Sequence, residues 1–183
     1  MLQLKFWGVG GQGVVTAAKM LSKAVSLHED EYAITIPSYG HERRGAPVNT
    51  SIIIDSEPVL LNSFVYEPDM VVVFDPTIID KNVNIAAGIK PTSTLILNTE
   101  DEEVVKRYKA LGFGKVIYAD GTRFAVECIK RAIPNSSMLG AVAASGIVKI
   151  ESVEKAIIET FGVKRGESNA AAARKTCEAA REM

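Results

Sequence analysis

Cysteine and histidine are scarce in this chain of 183 residues, which has two of each. Cys128 and Cys177 lie far apart within helical patterns, and neither belongs to a Cys-x-x-Cys pair with a nearby histidine. The sequence therefore predicts no metal site, no iron–sulfur site and no disulfide framework. We interpret both cysteines as small apolar residues on helix faces.

Long apolar runs and an excess of one charge are also missing. No segment reaches the roughly 20 apolar residues needed to span a bilayer, and the N-terminus meets a glycine turn too soon for a signal peptide. The formal net charge is −1, with acidic and basic residues well mixed. This charge pattern does not indicate binding to nucleic acid or to an anionic membrane. We expect a soluble, cytoplasmic protein with one domain, residues 1–183.

The chain does contain apolar segments that alternate with helical patterns. Strands are predicted at 2–7, 32–36, 48–54, 70–74, 94–97 and 115–119, the second of them stopped by Pro37. Beyond Pro134 the pattern is helical, at 138–148, 152–161 and 168–181, the last two separated by Gly162 and Gly166. This order predicts a Rossmann-like α/β fold with a mostly parallel sheet, helices on both faces and a helical C-terminal part. Strand 48–54 follows its loop too closely for a helical crossover, which favours a local antiparallel pairing.

A glycine turn at residues 8–13 follows the first strand and precedes a helical pattern. Gly8, Gly10 and Gly13 match the G-x-G-x-x-G spacing, in which the glycines permit a tight turn, a close approach of phosphate and close helix–strand packing. The N-terminus of the following helix favours an anion. Three interpretations remain open: a dinucleotide site, another anion site, or a structural turn that packs against a partner subunit. The candidate binding residues here are Gly8, Gly10, Gly11, Gln12 and Gly13.

A dinucleotide site also needs an acidic residue at the end of the second strand to hold the ribose hydroxyls. That strand ends in Ile36, Pro37 and Ser38, whereas Asp30 and Glu31 precede it, at the wrong end of the sheet. The nicotinamide interpretation is therefore disfavoured.

A loop at residues 37–47 is dense in glycine, proline and charge. We expect it at the same edge of the sheet as the glycine turn, where open α/β sheets bind ligands, and Arg43 and Arg44 suit carboxylate or phosphate. The alternative is a solvated loop with a local ion pair. No nucleophile–base–orienter set is visible, so we predict no catalytic residue in this chain. The candidate binding residues of the loop are Ser38, Tyr39, Gly40, Glu42, Arg43, Arg44 and Gly45.

Four motifs together resemble the gamma subunit of 2-oxoacid:ferredoxin oxidoreductases. They are Gly-Val-Gly-Gly-Gln-Gly-Val from residue 8, Pro-Ser-Tyr-Gly-His-Glu-Arg-Arg-Gly-Ala-Pro-Val from residue 37, Val-Phe-Asp-Pro-Thr at 73–77, and residues 135–146 with their Met-Leu-Gly-Ala core. They occur in the family's order over nearly the whole chain. The Glu-Arg-Arg-Gly-Ala-Pro version is most similar to the pyruvate and branched-chain 2-oxoacid (2-oxoisovalerate) enzymes.

The resemblance implies an oxidative decarboxylation that uses coenzyme A and gives acyl-CoA, carbon dioxide and reduced ferredoxin. It implies thiamine diphosphate between alpha and beta subunits, [4Fe-4S] clusters in the beta and delta subunits, and no cofactor in this chain. The glycine turn with Arg43 and Arg44 would then contact coenzyme A or salt-bridge to a partner subunit. An isolated chain is expected to form a homodimer through surfaces meant for partners. The competing classes are a stand-alone Rossmann-type oxidoreductase or nucleotide sensor, and a scaffold without a ligand.

Overall fold

One mixed β-sheet with helices on both faces organises the chain, in a computed structural model that describes residues 1–38 and 45–183. The strands are β1 (Leu2–Val9), β2 (Tyr32–Ser38), β3 (Pro47–Asp55), β4 (Met70–Val73), β5 (Thr94–Asn98), β6 (Lys115–Ala119) and β7 (Arg181–Glu182). The helices are α1 (Val14–His28), α2 (Glu102–Lys109), α3 (Gly121–Ile129), α4 (Ser137–Ala144), α5 (Ile150–Phe161) and α6 (Val163–Ala179), with a 3₁₀ helix, η1 (Pro76–Lys81).

The strand order is β2-β3-β1-β4-β5-β6-β7. The central strands β1, β4, β5 and β6 are parallel, whereas β3 is antiparallel to both β1 and β2, and β7 is antiparallel to β6. The predicted fold class is confirmed, including the antiparallel pairing of the strand after the 37–47 loop. Because β3 is antiparallel to both β1 and β2, these two strands run in the same direction although they are not neighbours.

Strand β2 continues through Pro37 to Ser38, so the prediction that Pro37 stops it is wrong. Pro37 pairs with Thr50 of β3, and β2 is the last strand on its side of the sheet. Proline lacks the N–H that a central strand must donate, but an edge strand tolerates it. The reason for the error is therefore topological, since the sequence does not show that β2 has only one neighbour.

The two faces of the sheet carry separate apolar cores. On one face α1 covers β1–β3 and α4 covers β5 and β6, around buried residues that include Leu4, Phe6, Leu21, Ile52 and Leu139. On the other face η1 and α2 cover β4–β6, around residues that include Val71, Ile78, Leu95 and Tyr108. The apolar run of β4 is buried on both sides, as predicted for a central parallel strand. In the described parts of the chain, no helix is long and apolar enough to cross a membrane.

Helix α6 begins earlier than predicted, at Val163 rather than residue 168. The sequence pattern treated Gly166 as a break between helices, but Gly166 lies inside α6. A Cβ atom at this position would come within 2.5 Å of the Ile158 Cα atom in α5. Gly166 therefore allows the backbones of α5 and α6 to approach closely. The short strand β7 after α6 was missed altogether.

Candidate functional site

The glycine turn and both ends of the 37–47 loop lie at the carboxyl edge of the sheet. The turn follows β1, Ser38 ends β2 and pairs with Asn49, and Gly45 precedes β3. The structure thus brings together Gly8, Gly10, Gly11, Gln12, Gly13, Ser38 and Gly45, as predicted. The remaining candidates, Tyr39, Gly40, Glu42, Arg43 and Arg44, lie outside the described residues.

The turn presents an uncapped helix N-terminus. Gly13 is the N-cap of α1 with φ of 74°, and no side chain among the described residues caps the helix. Gly11 also has a positive φ, of 101°, in the left-handed region that glycine adopts without steric cost. The first backbone N–H groups of a helix have no partner within it, and they carry the positive end of its dipole. This end of α1 therefore favours an anionic ligand.

Two glycines of the turn are required by close contacts. A Cβ atom at Gly8 would lie 2.6 Å from Val14 Cγ2 and 3.1 Å from Phe74 Cβ. At Gly13 it would lie 2.7 Å from Asn135 Nδ2 and 2.9 Å from Asn135 Cβ. Gly8 thus allows α1 to pack onto the strand ends, and Gly13 leaves room for Asn135. These contacts account for both glycines structurally, whichever ligand the turn holds.

The Gln12 side chain folds back onto the protein. Its Oε1 atom accepts a hydrogen bond from the Val9 N–H at 3.0 Å, and its Nε2 atom donates to Asp75 Oδ2 at 2.9 Å. Asp75 also accepts from the N–H and hydroxyl of Thr77, and so caps η1. Gln12 therefore connects the glycine turn to the end of β4. Contact between Gln12 and a ligand stays a prediction.

Two backbone hydrogen bonds attach the glycine turn to the chain that enters β3. Gly10 N–H donates to the Ala46 carbonyl at 2.8 Å, and Gly45 N–H donates to the Gly10 carbonyl at 3.1 Å. The last residues of the 37–47 loop are therefore held beside the turn. A ligand that contacts both segments would meet them as one surface.

Two buried asparagines at this edge were missed in the sequence. Asn98, which ends β5, is 6% exposed and donates to the Phe74 carbonyl at 2.7 Å and the Thr122 hydroxyl at 2.8 Å. Asn135 precedes α4, is 8% exposed and touches Gly13. An asparagine directly after a predicted strand is a signal that could have identified Asn98. Asn135 is the first residue of the 135–146 motif, but that motif does not indicate its contact with Gly13.

The strand order argues against dinucleotide binding. In the doubly wound nucleotide fold the second strand lies beside the first, which brings its acidic residue to the ribose. Here β3 separates β2 from β1, so the end of β2 lies about 10 Å from β1, which is two strand spacings instead of one. Asp30 and Glu31 lie before β2, at the opposite edge. Within residues 1–38 and 45–183, the structure therefore supplies no ribose partner at the predicted place.

The described residues contain no site arranged for metal binding or for thiol chemistry. There, no group of three or more His, Cys, Asp or Glu side chains is arranged to hold a metal ion. Cys128 and Cys177 are both free and partly buried, and burial raises the pKa of the Cys177 thiol. A raised pKa leaves little reactive thiolate at neutral pH.

An irregular segment between β3 and β4 exposes large apolar side chains. Leu60 is 93% exposed and Tyr66 is 71% exposed, with Leu61 and Phe64 partly exposed nearby. The segment is nonetheless attached to the sheet, since Val65 N–H donates to the Ser51 hydroxyl at 3.0 Å. A segment that is attached to the sheet and yet exposes several large apolar side chains is typical of an interaction surface.

The chain is similar to known proteins over nearly its whole length. The model of the pyruvate ferredoxin/flavodoxin oxidoreductase family matches residues 3–179. The pyruvate/ketoisovalerate oxidoreductases common subunit gamma of Thermococcus litoralis is 46% identical over 181 residues, which cover 97% of this chain and 96% of that protein. Pyruvate synthase subunit PorC of Methanocaldococcus jannaschii is 40% identical over 174 residues, which cover 94% of this chain and 93% of that protein. The crystal structure of pyruvate oxidoreductase subunit PORC of Thermotoga maritima matches with a TM-score of 0.83 and 33% identity, and the match covers 99% of this chain and 97% of that one.

Proposed function

This chain belongs to the pyruvate ferredoxin/flavodoxin oxidoreductase family, and on that premise we propose that it is the gamma subunit of a 2-oxoacid:ferredoxin oxidoreductase. The complex converts a 2-oxoacid, coenzyme A and oxidised ferredoxin into acyl-CoA, carbon dioxide and reduced ferredoxin. The observation that carries the proposal is similarity over nearly the full length of relatives that are themselves named as gamma or PorC subunits. The proposal keeps one domain over residues 1–183 and a cytoplasmic location.

In this proposal the redox and decarboxylation chemistry belongs to partner subunits. Thiamine diphosphate lies between alpha and beta subunits, and [4Fe-4S] clusters lie in beta and delta subunits. The exposed side chains of Leu60 and Tyr66 support burial by a partner subunit.

The glycine turn is proposed to contact coenzyme A, the phosphate-bearing substrate of the reaction. The uncapped N-terminus of α1 favours anions, and the adjacent loop supplies Arg43 and Arg44. The same arginines could instead salt-bridge to a partner subunit. Gly8 and Gly13 are poor probes of this question, because any side chain there collides with the fold.

The subunit assignment is tested by affinity purification from an anaerobic native extract. We expect larger subunits that carry iron and thiamine diphosphate to copurify, together with coenzyme A-dependent oxidation of a 2-oxoacid. A chain that is recovered alone and without activity would contradict the assignment. The 2-oxoacid that supports activity identifies the substrate.

The coenzyme A contact is tested in the assembled enzyme with the double variant Arg43→Ala/Arg44→Ala. We expect a raised KM for coenzyme A with an unchanged KM for the 2-oxoacid and intact assembly. The matched control is Lys19→Ala/Lys155→Ala, which removes the same charge from exposed helix positions. Loss of assembly in the arginine variant would assign the arginines to subunit docking instead. Tight binding of NADH or NADPH to the purified chain would favour a stand-alone oxidoreductase.

A further inference from the structure

The crossover segment, residues 56–69 between β3 and β4, lies on the face of the sheet opposite α1. Val65 N–H donates to the Ser51 hydroxyl at 3.0 Å, and Lys5 Nζ donates to the Val65 carbonyl at 3.3 Å. Lys5 and Ser51 are paired in the sheet, and Lys5 is next to Phe6, which faces α1, so both point to the other face. The segment begins and ends at the amino edge of the sheet, away from the glycine turn.

The second half of the crossover segment has a fixed backbone. Besides the two contacts of Val65, the Pro68 carbonyl accepts from the Ser93 hydroxyl at 2.7 Å. A Cβ atom at Gly88 would lie 1.8 Å from the Tyr66 carbonyl oxygen, so the backbone of residue 66 packs directly on Gly88. The Tyr66 side chain therefore extends from a position that the rest of the fold determines.

The crossover segment exposes four large apolar side chains. Leu60 is 93% exposed, Tyr66 71%, Leu61 48% and Phe64 41%. With about 200 Å² for a fully exposed large side chain, they offer roughly 400–500 Å² of apolar surface. A standard protein interface buries about 800 Å² per partner, of which about 60% is apolar. The exposed apolar area therefore equals the apolar part of one stable interface.

Acidic residues border these apolar side chains. Residues 55–69 contain four carboxylates and no lysine, arginine or histidine. Lys90 Nζ lies 3.7 Å from a carboxylate oxygen of both Glu67 and Asp69, so one cation serves two acids. Glu57 forms no ion pair with any residue that the structure describes. Glu57 and Glu67, which flank the four apolar side chains in the sequence, are called the acidic border below.

The acidic border distinguishes between two kinds of occupant. In a two-fold dimer the same patch meets itself, so the border of one copy would lie close to the border of the other. Like charges in such positions disfavour association. A different chain with lysine or arginine side chains around an apolar surface would instead neutralise the border.

We propose that the crossover segment docks onto a cofactor-bearing subunit of the complex, at an apolar groove that lysine or arginine side chains border. The identity of the partner rests on the proposed function, whereas the surface and the charge of the groove follow from the contacts above. Tyr66 is the central anchor. An aromatic side chain on a fixed backbone loses little conformational freedom on burial, which favours binding.

The test is affinity purification of the tagged full chain from an anaerobic native extract. Thiamine diphosphate, iron and 2-oxoacid oxidation are measured per recovered chain, so that the captured subunits are identified by their cofactors. Two double variants change the surface, one by removing apolar side chains and one by reversing the charge of the border. They are Leu60→Ser/Tyr66→Ser and Glu57→Lys/Glu67→Lys.

Each double variant has a matched control with the same substitutions at exposed positions elsewhere. The controls are Leu27→Ser/Val163→Ser and Glu31→Lys/Glu167→Lys. All four variants alter exposed side chains, so they should keep the wild-type midpoint of thermal unfolding. A loss of subunits at an unchanged midpoint is therefore a loss of docking and not of folding.

We expect both test variants to recover at least about tenfold less of the cofactor-bearing subunits, as truncation of an interface anchor does, and both controls to match the wild type. Raised salt should weaken the wild-type association, because it screens the charges around the interface. Hydrogen exchange should show protection of residues 59–66 in the complex relative to the free chain.

Equal recovery of these subunits by the wild type and by Leu60→Ser/Tyr66→Ser would overturn the docking surface. A dimer of the free chain that this variant abolishes, with the other subunits retained, would assign the surface to a second copy. Undiminished recovery by Glu57→Lys/Glu67→Lys would overturn the basic groove. A wild-type chain that captures no other subunit would contradict the proposed function itself and remove the partner with it, so the two failures are distinguishable.

Discussion

Replacing Gln12 by glutamate should destabilise the protein through a single contact. In the wild type, Gln12 Nε2 donates to Asp75 Oδ2 at 2.9 Å. The Gln12→Glu variant replaces that donor with a carboxylate oxygen, so two carboxylates face each other. A hydrogen bond to a charged group contributes roughly 1.5–3 kcal/mol, and repulsion between two charges at such a distance adds about 1 kcal/mol in a well-hydrated site. Both side chains are partly buried but still reach solvent, so we expect a net loss of about 2–3 kcal/mol.

The loss should depend on pH in a defined direction. Two adjacent carboxylates share a proton, which raises the pKa of the pair in the folded variant above its value in the unfolded chain. When the pKa of a group is higher in the folded protein than in the unfolded chain, the stability that the group contributes is complete below the pKa of the unfolded chain. That stability disappears as the pH rises through the pKa of the folded protein. The stability difference between variant and wild type should therefore be small near pH 4 and full at about pH 7, since free carboxyls titrate near 4.

The assay is thermal and urea unfolding of both proteins at the two pH values. For a chain of this size, a loss of 2–3 kcal/mol lowers the melting temperature by about 4–12 °C. The double variant Gln12→Glu/Asp75→Asn reverses donor and acceptor, and the retained Oδ1 atom of residue 75 still accepts from Thr77. It should recover most of the loss. A double variant that is no more stable than Gln12→Glu would refute the contact and the connection it makes between the glycine turn and β4.

Three further predictions concern the helices. Gly166→Ala should destabilise the protein by about 1–3 kcal/mol, as overpacking does, because the new Cβ atom would lie 2.5 Å from Ile158 Cα. An unchanged midpoint of urea unfolding would contradict the close packing of α5 on α6. Asp101→Ala should cost about 1 kcal/mol, because the Asp101 side chain accepts from the Glu103 N–H and caps α2; Asp101→Asn is the control that retains an acceptor. Burial raises the pKa of Tyr108 far above its usual value. The stability that its neutral phenol contributes is therefore complete below about pH 10 and is lost as the pH rises further. Tyr108→Phe should resist alkaline unfolding better than the wild type in a circular dichroism titration, and equal alkaline midpoints would contradict this prediction.

The sequence predicts the alternation of strands and helices because each buried element carries its own apolar pattern. The run at 70–74 and the β-branched segment at 48–54 both became strands close to the predicted bounds. The end of β2 was predicted wrongly because Pro37 stops a central strand but not an edge strand. Strand neighbours depend on contacts distant in the sequence, which a local pattern does not contain.

The glycine turn was located correctly for a similar reason. Gly11 and Gly13 adopt positive φ angles in the turn, a local backbone requirement that glycine meets and that the sequence displays directly. Asn135 was not found, because only the packing of α4 brings it to Gly13. Gly166 was misread as a helix break, because a glycine that permits close helix packing has the same sequence signature as one that ends a helix.

The central position of β1 has a consequence for how the chain folds. Phe6 of β1 pairs with Thr50 on one side and with Val72 on the other, so β1 must wait for two segments that are synthesised much later. Contacts of such high sequence separation require the closure of long loops, which slows folding. We expect nascent chains that end before β4 to expose an unpaired apolar strand, and to depend on chaperones until that strand emerges.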